Sequence, residues 1–252
     1  MKSEKILEHI MMELAPYHPK NVAVSRFNQD NLNEFSRNEN SVKVIFDHLN
    51  FKILNISSNV ETIFGYTLEE LSRDSLFFSL FEEEHETALL TWIKWHIEIL
   101  TNEGRLSNMK SALCGMKIKH KDGHTRRILM RQIAIEVLEN SMPKTSIVTF
   151  DVITHLMKAD FYWGRSAFGE SENRQFHHLI STQQKDISND IISDREKDVL
   201  RLIAQGRESK DIGKALFISL FTVENHRRNM LKRTGVRDTT ALVQLCWMCG
   251  IL

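Results

Sequence analysis

The apolar residues of this chain alternate as in strands through its first part and take a helical period from Ile191 to the end, and that contrast limits the fold more than any other feature. "SVKVIFD" (41–47) alternates apolar and polar, as a half-buried strand does. "FKILNIS" (51–57), "ALCGMKIKHK" (112–121), "HTRRILMRQIAIEVLE" (124–139) and "TSIVTFDVITHL" (145–156) read as four further strands. "KDGH" (121–124) suits the turn of a hairpin between the third and fourth. Helical segments lie between the second strand and the third. "ETIFGYTLEELS" is helical at each end with Gly65 as a break, and "HETALLTWIKWHIEIL" is a strong helix from His85 to Leu100. From Ile191 to the end the period is helical throughout. An antiparallel sheet with helices on one face, followed by an all-α four-helix domain, is an α+β arrangement.

The expected divisions are a helix and connector over 1–40, a sheet domain over 41–156, a linker over 157–190 and a helical domain over 191–252. Residues 1 to 14 form an amphipathic helix, and 16 to 40 read as a polar connector. The linker region is mixed and then polar ("GESENRQ", "STQQKDISND").

Charge is balanced over 252 residues, 33 against 33, but unevenly placed. From Ile191 onward there are 11 Lys and Arg against 7 Asp and Glu, and the remainder has 22 against 26. A basic tail on an acidic body points to nucleic acid. Three cysteines imply no disulfide framework, and Cys246 with Cys249 forms a lone C-x-x-C without a second pair, so no metal site is expected. "MKSEKILEHI" carries charge where a signal peptide is apolar, and no apolar run approaches the ~20 residues that span a bilayer. A cytoplasmic protein without membrane contact is expected. No G-x-S-x-G, Walker loop or G-x-G-x-x-G is present, so no enzyme is expected.

In the helical domain, "SDREKDVLRLIAQG" (193–206) has Ser193 and Glu196 at capping-box spacing, with Val199, Leu200, Leu202 and Ile203 inward and Gly206 as the stop. "ESKDIGKALFIS" (208–219) is a shorter helix burying Ile212, Leu216 and Ala215. On a wheel of "SLFTVENHRRNMLKR" (219–233), Leu220, Val223, Met230 and Thr234 fall on one side, and Phe221, Asn225, Arg228 and Lys232 on the other. Asn, Arg and Lys facing outward together are the side chains that read base edges and bind phosphate. A last helix lies in "TTALVQLCWMCGIL" (239–252). It is apolar on more than one face, which marks Val243 and Trp247 as a dimer contact and Leu242, Leu245 and Cys249 as the alternative stripe.

These phrases, in this order and spacing, resemble the LuxR-type (GerE-type) DNA-binding domain. The resemblance implies a helix-turn-helix whose recognition helix begins at Thr222, with Glu196 and Gly206 as framework and His226 packed at the helix edge. The residues expected to face double-stranded DNA are Lys210, Ser219, Phe221, Thr222, Glu224, Asn225, Arg228, Lys232 and Arg233. Three positions depart from the pattern: Gly213 where alanine is usual, Thr234 where leucine is usual, and Glu224 where a cation often sits.

"FGYTLEEL" (64–71) followed by "KHKDGHTRRILM" (119–130) resembles a PAS domain, which implies a sensor or dimerisation module. No N-C-R-F phrase of the flavin-photoadduct type is present. His85 and His96 lie on the long helix, where haem-binding versions carry a histidine, but a helix histidine is more often a packing residue. Phe64, Trp92 and Met116 would line a pocket for a small apolar ligand or, more simply, fill the core. No cofactor is expected, and an unidentified small ligand stays open. The expected function is a homodimeric transcription regulator on a pseudo-palindromic operator, with RNA polymerase as a further candidate partner. The alternative is an adaptor whose C-terminal helices bind a protein.

Overall fold

A computed structural model describes residues 40–50, 52–71, 76–81, 85, 89, 92, 110–138, 143–160, 162–167, 175–178 and 191–252. The helix read over 1–14, the connector over 16–40, His96 and most of the long helix from His85 lie outside them. His85, Leu89 and Trp92 are described, helical and buried. The chain divides into two compact units. One is Met1–Ile153 with Ser166–Gln175, and the other is Thr154–Arg165 with Phe176–Leu252.

The first unit is built on five antiparallel strands: β1 (Ser41–Asp47), β2 (Lys52–Ile56), β3 (Lys110–Lys119), β4 (Thr125–Val137) and β5 (Pro143–Val152). They are hydrogen-bonded in the order β2-β1-β5-β4-β3. Val44 pairs with Val148 and Met130 with Phe150, which sets Val42, Val44, Phe46, Met130, Val148 and Phe150 on one face. Three short helices follow β2: α1 (Val60–Phe64), α2 (Leu68–Leu71) and α3 (Leu76–Ser79). α1 buries Val60, Ile63 and Phe64, and the Phe64 ring meets Phe150 edge-on at 5.6 Å between centroids. This fixes which face of the sheet the helix covers. Trp92 and Met116 are buried as well.

The β3–β4 hairpin is tied back to those helices. Arg126 donates to the carbonyls of Thr62 and Ile63, the Lys121 amide donates to Phe64, and the Lys121 ammonium reaches Glu70 at 2.6 Å. The hairpin turns at "KDGH", with Asp122 accepting from the His124 amide, a bond that helps hold its carboxyl at about 2. In β3 the register shifts between Cys114 and Met116. Gly115, at φ 87°, supplies the extra residue of that bulge, which a side chain would strain. The five strands, their hairpin and the helices after β2 make the N-terminal unit an antiparallel sheet with helices, the α+β arrangement its residues suggest.

The second unit is helical: α4 (Asp194–Ala204), α5 (Ser209–Leu216), α6 (Leu220–Thr234) and α7 (Thr239–Met248). Its core is Ile191, Ile192, Val199, Leu200, Ile212, Val223, Met230, Leu242, Leu245 and Cys246. Two further short strands are β6 (Trp163–Ala167) and β7 (Gln175–His178). Residues 154–165, which the sequence divides between sheet domain and linker, pack with the helices as a strap. Met157 bridges to Val236, the Lys158 and Ala159 amides donate to the Gly235 carbonyl, and the Arg237 amide donates to Leu156. Trp163 is fully buried, and its indole N–H reaches the Thr234 carbonyl at 3.4 Å. The apolar residues of this strap, Leu156 and Met157 and then Phe161, Tyr162 and Trp163, cluster without a strand or helix period, and the polar run after them led the sequence to place it in the linker.

Candidate nucleic-acid interface

The interface begins with the body that holds α6. Ser193 and Glu196 close a full capping box at the start of α4. The Glu196 carboxylate is buried and also pairs with Arg233, whose Nε donates to the Ile191 carbonyl at 3.0 Å. Burial alone would raise the Glu196 carboxyl. The Arg233 guanidinium and the two Ser193 donors outweigh burial and hold it below the ordinary carboxylate range. His226 faces the same carboxylate, with Nδ1 at 3.9 Å. Arg233 is thus a strut tying the last turn of α6 to the first turn of α4, rather than a side chain turned toward a ligand.

Arg227 is a second strut, which the sequence reading missed. Its guanidinium donates to Ser209 of α5 at 2.8 Å and to Thr239 of α7 at 3.2 Å. The signal was present in the wheel, where Arg227 falls within the stripe of Leu220, Val223, Met230 and Thr234, but the angle alone does not name the partners of an inward arginine.

The turn between α5 and α6 is tight. Phe217 caps α5 in the left-handed region at φ 55°, and the Ile218 amide returns to the Gly213 carbonyl at 2.9 Å. A Cβ on Gly213 would lie 2.8 Å from the Ile218 carbonyl oxygen, which accounts for glycine here. Arg195 of α4 donates to the Leu216 carbonyl and braces the same turn. Ala215, expected inside, is exposed, and Leu216 is half-buried, because the turn leaves α5 open on that side.

α6 opens one residue after the turn. Ser219 is its N-cap and accepts from the Thr222 amide at 3.0 Å, while the two hydroxyls lie 2.8 Å apart. The helix therefore starts two residues before Thr222. Val223, Met230 and Thr234 are fully buried. Leu220, placed with them by the wheel, is instead 53% exposed. It stands in the first turn, beyond the reach of the core that Val223 enters. Gly235 ends the helix in the left-handed region.

The outer face of α6 carries Phe221, Glu224, Asn225, Arg228 and Lys232. All are exposed except Asn225, which is half-buried and accepts from Arg228 at 3.3 Å. Glu224 lies 4.0 Å from Arg227. Lys210 is exposed on α5. Phe217 and Phe221 are 95% and 71% exposed, large apolar surfaces that polar contacts elsewhere do not explain. On α7, Ala241, Leu242, Leu245 and Cys246 are buried and Cys249 follows them inside, while Val243 is half-buried and Trp247 is 62% exposed. Cys246 and Cys249 are not joined in a disulfide. Among the described residues no group of three His, Cys, Asp or Glu stands close enough to hold a metal ion, and no helix is long and apolar enough to cross a membrane.

A capped helix joined by a tight turn to a shorter one, with a polar stripe turned outward, is a helix-turn-helix. Residues 190–246 match the family model of bacterial regulatory proteins of the luxR family, and that segment is a LuxR-type helix-turn-helix domain. The transcriptional regulatory protein MctR of Rhizobium johnstonii is 38% identical over 63 residues, 25% of this chain and 29% of MctR. The chain thus spans less than a third of that relative's length. Two solved structures are similar over larger stretches. A PAS domain from Colwellia psychrerythraea is 22% identical, covering 46% of this chain and 87% of its own, at a TM-score of 0.33. The Vibrio cholera VqmA in a ligand–DNA complex is 14% identical, covering 88% of this chain and 87% of its own, at a TM-score of 0.34. At those scores the likeness decides nothing about this chain.

Proposed function

We propose that the protein is a cytoplasmic, homodimeric transcription regulator, not an enzyme, that inserts α6 into the major groove of a pseudo-palindromic operator. One observation carries the reading. α6 is locked from behind by Val223, Met230, Arg227 and Arg233, and it turns Asn225, Arg228 and Lys232 outward along one stripe. A helix held that firmly, with its donors unburied, suits base edges and phosphates. Glu224 on the same side accepts from a cytosine amino group or repels phosphate, so the preferred site differs from that of relatives with a cation there. Val243 and Trp247 form the contact between two helical units. The PAS-like sheet adds dimer contacts and receives a signal, through a small ligand or a protein. RNA polymerase is the partner through which bound protein would act on transcription.

Binding of the full chain to duplexes selected from a random pool tests this. Arg228→Ala should weaken selected sites by roughly 1–3 kcal/mol and relax the preference at one base pair. Lys232→Ala should weaken all sequences equally and lower the salt slope by about one. A chain that selects no sequence and binds no duplex in a salt-dependent way would be the protein-binding adaptor instead.

A further inference from the structure

The outer face of α6 is not wholly polar. Phe221 stands one helical turn before Asn225 and two turns before Arg228, on the same stripe, and is 71% exposed. Leu220 beside it is 53% exposed. A phenyl ring in water at that position stabilises nothing in the free protein. Burying it against an apolar partner gains what its exposure withholds. The first turn of a recognition helix is where side chains meet base edges. Phenylalanine has neither donor nor acceptor, so it cannot pair with a base edge by hydrogen bonds. The C5-methyl of thymine is the one apolar group a standard base pair shows in the major groove. Phosphate is excluded as the target by the same chemistry. Phe217 lies in the turn, off this stripe, and is not part of the contact.

Building on the DNA-binding reading above, we propose that Phe221, flanked by Leu220, reads the methyl group of a thymine in each operator half-site. The ring selects thymine over cytosine at that step, while Asn225 and Arg228 read the steps beyond it.

The test uses the full chain and an operator selected by it. Each thymine of the selected site is replaced in turn by deoxyuridine, which keeps every hydrogen-bonding group and lacks only the methyl. At one symmetric pair of positions the loss should be roughly fourfold per half-site, the worth of one buried methyl. Phe221→Ala should bind the thymine and uracil duplexes equally. Because Phe221 is exposed, that variant keeps the wild-type circular dichroism and melting. A selected site at which no thymine-to-uracil change matters would overturn the proposal. So would a uracil penalty of unchanged size in Phe221→Ala, since another group would then hold the methyl. A failure to select any sequence would instead remove the DNA-binding reading, and this proposal with it.

Discussion

α6 and α7 are neighbours in one small unit, yet they are held in opposite ways. α6 buries only Val223, Met230 and Thr234 along fifteen residues, and polar struts from Arg227 and Arg233 set its orientation. α7 buries Ala241, Leu242, Leu245 and Cys246 within ten residues and still exposes Trp247. A helix that keeps a stripe free for a partner gives up apolar anchorage, and hydrogen bonds replace it. A helix with more apolar surface than its own core needs has some left for a partner. The two helices meet at the loop 235–238, on which the strap 154–165 closes.

Removing the strap's anchor should break the comparison most severely, because both helices depend on that loop. Trp163→Ala takes away a fully buried indole, and such truncations cost about 3–5 kcal/mol. The expected result is faster amide hydrogen exchange in both α6 and α7 of the full chain, with the sheet β1–β5 keeping its protection. Equal loss of protection in the sheet would show that the two units unfold together.

Glu196→Ala should act on α6 more than on α7. It frees Arg233 and opens the capping box of α4. Breaking a fully buried pair costs 3–5 kcal/mol, and Arg233 is 34% exposed and can return to water, so about 2 kcal/mol is expected. The same carboxylate sets an acid limit. Its folded value is depressed, so its contribution is whole above the ordinary carboxylate range and is lost as the pH falls through the lower folded value. Urea midpoints measured from pH 6 down to pH 3 should fall for the native chain and fall less for Glu196→Ala.

Much of this unit was legible because its signals are local. Ser193 with Glu196, Val223 with Met230, and Gly206 and Gly235 each declare a cap or a stripe within a few residues. The five strands were legible for the same reason, through alternation such as that of "SVKVIFD". What escaped depends on distant partners. The roles of Arg227, the inward turn of Arg233 and the burial of Trp163 are set by residues 12 to 71 positions away. Leu220 was placed inside because a wheel knows the angle of a residue and not where the core ends.

Gly213→Ala sharpens the comparison from the other side of α6. The new Cβ would press on the Ile218 carbonyl, and neighbouring backbone must shift to admit it. Overpacking of this kind typically costs about 1–3 kcal/mol. Because the strain falls on the turn before Ser219, the angle of α6 should change. Selected-site binding should then weaken by more than the melting temperature suggests, while contacts of α7 persist. A variant that melts lower but binds normally would show that the turn yields without moving the helix.

The smallest effect on stability is expected on α7. Val243 and Trp247 lie one turn apart on the side away from Leu242, Leu245 and Cys246, and Trp247 is 62% exposed. Glutamate at Trp247 enters water, and at the half-buried Val243 it gives up only part of an apolar contact, so Val243→Glu with Trp247→Glu should lower the melting of the full chain only slightly. If the two helical units of a dimer meet through this face, two carboxylates brought against their copies repel. Binding to a full operator should then lose its cooperativity, while affinity for a single half-site stays at the wild-type value. The dimer contacts proposed for the sheet domain do not blunt this reading, because the comparison is between full and half sites of the same sample. Retained cooperativity would move the contact between helical units away from α7 and leave Trp247 exposed for some other reason.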